Sequence, residues 1–102
     1  MNIIFNRELA NELKEKYLVL ELETLIVNQQ KLECFCVVPG DKISVTEMPV
    51  LNQLAELHQQ FVDHLKLKNY ATCLELMPQL QGKFGGELDS FYQIIQDRIQ
   101  QS

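Results

Sequence analysis

Several things are missing from this chain, and each absence narrows what it does. There is no tryptophan, and glycine and proline number only four and three. No apolar run approaches the ~18 residues that a membrane span needs. The opening residues Met1-Asn2-Ile3-Ile4-Phe5-Asn6 lack the positive start and long apolar core of a secretory signal. Basic residues are scarce, nine Lys and Arg against 14 Asp and Glu, for a net charge of −5. The imbalance is spread evenly: residues 1–50 carry five cations and eight anions, and residues 51–102 carry four and six. No basic patch is therefore expected, and neither nucleic acid nor a membrane surface is an expected partner. Three cysteines, an odd number with two only one residue apart, fit a reduced, cytoplasmic setting better than a disulfide framework.

What is present is a mid-sized apolar fraction, 46%, with 23% charged residues, the profile of one folded domain over 1–102. Such a chain buries roughly 65% of its unfolded surface, enough for one core. Three of the four glycines, Gly82, Gly85 and Gly86, fall within five residues and precede an aromatic amphipathic stretch. They predict a structural joint between two helices, with Gly82 just past a helix end.

Hydrophobic spacing predicts the remaining elements. Asn6 caps a short helix over about 7–16, with Leu9, Ala10 and Leu13 on its inner face. Alternation then predicts a β-hairpin over 18–38, broken at Asn28-Gln29-Gln30 and lacking the Asn-Gly signature of the tightest turns. Ile3–Phe5 and Lys42–Val45 are candidate extra strands. A helix over about 49–67 is marked by Leu51, Leu54, Phe61 and Leu65. A second starts at Tyr70 and ends near Gln81, with a kink or early end expected at Pro78. A last helix runs over about 87–100. Strands first and helices after give an α+β fold: a short helix and a small antiparallel sheet, then a three-helix C-terminal half.

Two resemblances are carried by particular residues. The helical hairpin at 50–81, with Lys68-Asn69-Tyr70-Ala71 at its turn, is similar to one tetratricopeptide unit, though no second copy stands beside it. Leu20-Glu21, Cys36-Val37-Val38 and the run Gly82-Lys83-Phe84-Gly85-Gly86-Glu87-Leu88-Asp89-Ser90-Phe91-Tyr92 resemble short uncharacterised proteins of tailed phages of marine cyanobacteria. That resemblance implies the cytoplasm of an infected bacterium and supplies no catalytic residues.

The candidate chemistries are each met by a plainer reading. Cys34 and Cys36 share a strand face with Leu32 and Val38, and Cys73 lies in an apolar helix, so all three are expected as buried small hydrophobes without metal. His58 and His64 stand six residues apart, the wrong spacing for one ion, and His58 is expected as a half-buried packing residue. Ser44, Ser90 and Ser102 lack a nucleophile-elbow context. Glu21 and Glu23 fit a solvated strand face. The glycines have the wrong spacing for a phosphate loop and meet Glu87 and Asp89 where an anion would arrive.

The function expected is protein–protein binding or assembly without catalysis or cofactor, through an apolar groove or an exposed strand edge. Leu18, Val19, Leu20, Phe35 and Val37 are the residues expected at that edge or face, because a two-stranded sheet leaves one face open unless the first helix covers it. The partner is a second copy, as a homodimer, or another protein. An acidic regulator docking on a basic surface is the runner-up, and an enzyme comes third.

Overall fold

Alternating apolar residues between 18 and 38 build the longest strands. In the computed structural model, which describes residues 1–101, β2 spans Leu18–Val27 and β3 spans Gln30–Val38. β1, Asn2–Ile4, pairs antiparallel with β3 on its other side, giving the order β1-β3-β2. The turn is tighter than its residues suggest. Val27 pairs with Gln30, so only Asn28 and Gln29 form the loop, and both take positive φ (52° and 67°). Two left-handed residues in a two-residue loop match the twist of the strands they join.

A register shift falls between Glu21 and Thr24, so that Leu22 and Glu23 together oppose Cys34. This β-bulge resets the alternation. Leu20 and Leu22 stay in the core, whereas Thr24 turns to the other face of the sheet, opposite Glu33.

α1, Arg7–Leu13, starts where Asn6 Oδ1 accepts the Leu9 N–H at 3.0 Å. It ends earlier than residue 16 because the N–H groups of Glu15 and Lys16 bond three residues back, tightening the chain into β2. α1 covers the sheet face that a bare hairpin would leave open. Ala10 is fully buried, Phe35 is sealed beneath, and the Arg7 guanidinium carbon lies 5.2 Å from the Phe35 ring centre.

The opposite face carries Leu20, Leu22, Cys34, Cys36 and Val38 against the helical half. That half is α2 (Leu51–Lys66), α3 (Tyr70–Leu80) and α4 (Asp89–Gln101). Met48–Val50 forms a 3₁₀ turn leading into α2. α2 closes in a Schellman arrangement: Lys68 has φ 62°, and the Asn69 N–H bonds the His64 carbonyl at 2.9 Å. α3 then runs back along α2 as the other arm of a helical hairpin. Pro78 sits in its last turn, and the helix stops two residues later.

Residues 42–45 form no strand. Gly40–Lys42 is a 3₁₀ turn, and Ile43 drops into the core. The glycine joint explains why this segment lies where it does. Gly82, Gly85 and Gly86 all take positive φ (80°, 67° and 73°). A Cβ on Gly85 would stand 2.3 Å from the Lys42 carbonyl oxygen, so the joint packs directly on the backbone of the 40–43 turn. Glu47 adds a second tie by accepting the Phe84 N–H at 2.9 Å.

Candidate functional site

Two recesses adjoin where α2 passes the distal half of the hairpin. The larger, about 690 Å³, is lined by Glu23, Thr24 and Ile26 of β2, Lys31 and Glu33 of β3, and Val62, Leu65 and Lys66 of α2. The smaller, about 190 Å³, shares Glu23, Leu65 and Lys66 and adds Lys68, Tyr70, Ile95, Arg98 and Ile99. Val62 and Ile95 are buried and give the cleft an apolar floor, and Ile26, 67% exposed, stands on its wall.

The cleft lies along an edge of the sheet. β3 occupies one side of β2, and among the described residues no strand occupies the other. Near the base of the hairpin this free edge is stopped, because Glu21 gives its outward carbonyl to His58 Nε2 at 2.6 Å. Farther out, the pairing fixes which groups face the cleft. In a two-residue hairpin the residues flanking the turn, here Val27 and Gln30, exchange both ladder bonds. Leu25 and Leu32 are then the next bonded pair, and Thr24 and Ile26 turn their N–H and C=O groups away from β3. β2 therefore offers two residues of open backbone in register with the larger recess.

Charge frames this edge. Lys66 Nζ reaches Glu21 Oε2 at 2.7 Å, and Gln59 Nε2 donates to the other oxygen at 2.9 Å. Arg98 grips Glu23 with both nitrogens, at 2.6 and 3.0 Å. Arg7 bonds Glu33 from the α1 side, holding that carboxyl below its ordinary pKa. Glu21 and Glu23 are thus not a solvated pair. The bulge separates them, and each is tied to a helix.

Beneath the cleft lies a sealed polar cluster. His58 is fully buried rather than half-buried, ringed by Phe61, Phe84, Phe91 and Tyr92. Its Nδ1 is 2.8 Å from the Tyr92 hydroxyl. Because the Glu21 carbonyl can only accept, Nε2 carries the proton, and Nδ1 accepts from Tyr92. Burial pushes His58 down to about 4 and pushes the Tyr92 hydroxyl well above its usual range. Both groups are neutral across the physiological range and closed off from solvent. This cluster fixes α2, α4 and β2 to one another.

The residues singled out in the sequence are scattered. Of the expected edge or face, Leu20 and Phe35 are buried inside the chain, on opposite faces of the sheet, and Leu18, Val19 and Val37 are half-buried. The expected edge is closed for two reasons: α1 covers one face, and the open stretch of β2 lies beyond the bulge, at residues 24–27. Cys34, Cys36 and Cys73 are unpaired and buried, and burial raises Cys36 to about 11. Among the described residues no group of three His, Cys, Asp or Glu is placed to hold a metal. Two of the joint's glycine amides are spent internally: Asp89 Oδ1 accepts the Gly82 N–H at 2.8 Å, and the Gly86 N–H bonds the Lys83 carbonyl. Ser44 bonds Thr46 and Glu47 at the surface, Ser90 is exposed on α4, and Ser102 lies outside the described residues.

No protein-family model, curated protein or solved structure matches this chain. No helix among the described residues is long and apolar enough to cross a membrane. The fold is α+β, and beyond that the site has to be read from its own geometry.

Proposed function

We propose that this chain is a non-enzymatic protein-binding module that takes an extended segment of another protein along the edge of β2. The observation carrying this reading is the coincidence of three things at one place. The free backbone of Thr24 and Ile26, an apolar wall of Val62 and Leu65, and a recess of about 690 Å³ all meet beside the distal hairpin. An added strand gains main-chain hydrogen bonds from the edge and places alternate side chains in the recess. His58 and Tyr92 are sealed in the core and bonded to each other, so neither is offered to a partner at this edge.

The test is selection of binders from a random-peptide library, repeated on Ile26→Pro. Proline at residue 26 removes an outward N–H while leaving the ladder to β3 intact. Selected peptides are expected to bind the parent and to lose at least tenfold in affinity for the variant. Peptides that bind both equally would overturn the reading.

A second reading is favoured by one feature. Thr24-Leu25-Ile26-Val27 is an uncharged edge run with no proline or lysine to block pairing, and Ile26 and Val27 are exposed, so a second copy could pair there. Sedimentation at micromolar concentration distinguishes the two, since a homodimer would run at twice 11.9 kDa.

A further inference from the structure

The two recesses collect a share of the chain's cations out of proportion to its composition. Lys31, Lys66, Lys68 and Arg98 line them, four of the nine Lys and Arg, whereas Glu23 and Glu33 are the lining acids, two of the 14 Asp and Glu. The lining thus carries a formal +2 on a chain of −5, which leaves −7 for everything else.

The ion pairs at the cleft also point their positive members outward. The Lys66 side chain is 46% exposed while its partner Glu21 is 12% exposed, and Arg98 is 54% exposed over Glu23 at 24%. Each carboxylate lies against the protein and each cation caps it toward solvent. Lys31 and Lys68 make no ion pair within 4 Å among the described residues, and the pull on Lys31 is the longer-range attraction of Glu33, which Arg7 already holds. Lys31 is paired with Ile26 in the hairpin, beside the open backbone, and Lys68 lines the smaller recess. The two adjoining recesses therefore offer open backbone, an apolar wall and two cations outside any ion pair.

We propose that the segment this cleft takes is an extended acidic peptide. Its backbone pairs with Thr24 and Ile26, an apolar side chain rests on Val62 and Leu65, and carboxylates meet Lys31 and Lys68. The proposal rests on the strand-edge reading above and adds the chemistry of the partner. Charge of this kind selects the partner and speeds the encounter. With a net −7 on the rest of the chain, the cleft is favoured over the remaining surface as the approach for an anionic partner.

The test uses three labelled probes with the whole protein: a decapeptide alternating valine and glutamate, its valine–lysine counterpart, and a single-stranded oligonucleotide. The acidic peptide is expected to bind at least tenfold more tightly than the basic one, and to weaken at least fivefold as salt rises from 50 to 500 mM, as about a threefold shorter screening length implies. Lys68→Glu and Lys31→Glu, which break no ion pair among the described residues, are each expected to lower that affinity threefold or more without changing the melting temperature. Equal binding of the acidic and basic peptides, or an affinity untouched by both variants, would overturn the proposal. So would an oligonucleotide binding as tightly as the acidic peptide, because the site would then read anionic charge alone. If library-selected neutral peptides still depend on Ile26 while the acidic probe shows no preference, the strand-edge reading survives and this one does not.

Discussion

His58 Nδ1 accepts a hydrogen bond from the Tyr92 hydroxyl across 2.8 Å, in a core where neither side chain touches solvent. With Nε2 donating to the Glu21 carbonyl, the neutral imidazole satisfies both ring nitrogens and the Tyr92 hydroxyl hydrogen together. A second proton would have to sit on Nδ1, facing a hydroxyl that already points its own hydrogen there. Burial is the larger cause of the lowered pKa, and the nearest carboxylate, Glu21, faces Lys66 and Gln59.

A stability–pH dependence follows. The folded His58 sits at about 4 against an ordinary 6.5, so between those values the unfolded chain binds more protons. Stability is expected to be fully present above about pH 6.5 and to fall on acidification toward pH 4, by up to about 3 kcal/mol from this group. Denaturant titrations at a series of pH values measure it. His58→Gln is expected to be less stable at pH 7 and to have a flatter profile between pH 6.5 and 4. A wild-type stability that stays level over that interval would contradict the buried neutral histidine.

The glycine joint makes a graded expectation. Gly82 and Gly85 both have positive φ, but a methyl at Gly82 meets open space and one at Gly85 meets the Lys42 carbonyl oxygen. Gly82→Ala is expected to cost about 1 kcal/mol, the left-handed penalty. Gly85→Ala adds a backbone clash and is expected to cost clearly more. Thermal melts separate them, since 1 kcal/mol moves the midpoint by roughly 4–8 °C in a domain of this size. Equal midpoints for the two variants would show that the joint does not press on the 40–43 turn.

The thiols are expected to be inert in the folded state. All three are buried, and burial raises each pKa, Cys36 to about 11, so little thiolate exists at pH 8. Reaction with a chromogenic disulfide reagent should be slow for native protein and release three equivalents in denaturant. Fast release of even one equivalent from native protein would place a cysteine at the surface.

Much of the fold was legible in the residues because periodicity reports which face of an element is buried. The hairpin, the cap at Asn6, the helical hairpin and the left-handed glycines follow from local rules. The cleft does not, for two physical reasons. A bulge is invisible to alternation: Leu18, Leu20 and Leu22 continue the pattern smoothly, and only the register shows Leu22 and Glu23 sharing Cys34. Charge spread evenly along a chain is also free to gather in space, and Lys31, Lys66, Lys68 and Arg98 come from three separate elements and a turn. The full burial of His58 has one local signal. It stands three residues before Phe61 and four after Leu54, inside the apolar stripe rather than beside it.

β2 is expected to receive an added strand at Thr24 and Ile26. Amide hydrogen exchange followed by NMR, with and without a saturating library-selected peptide, tests it residue by residue. In the free protein the Leu25 and Val27 amides are expected to be protected by β3, and those of Thr24 and Ile26 to exchange freely. Peptide binding is expected to slow Thr24 and Ile26 at least tenfold and to leave Leu25 and Val27 nearly unchanged. Saturation with Thr24 and Ile26 still exchanging at their free rates would contradict the account.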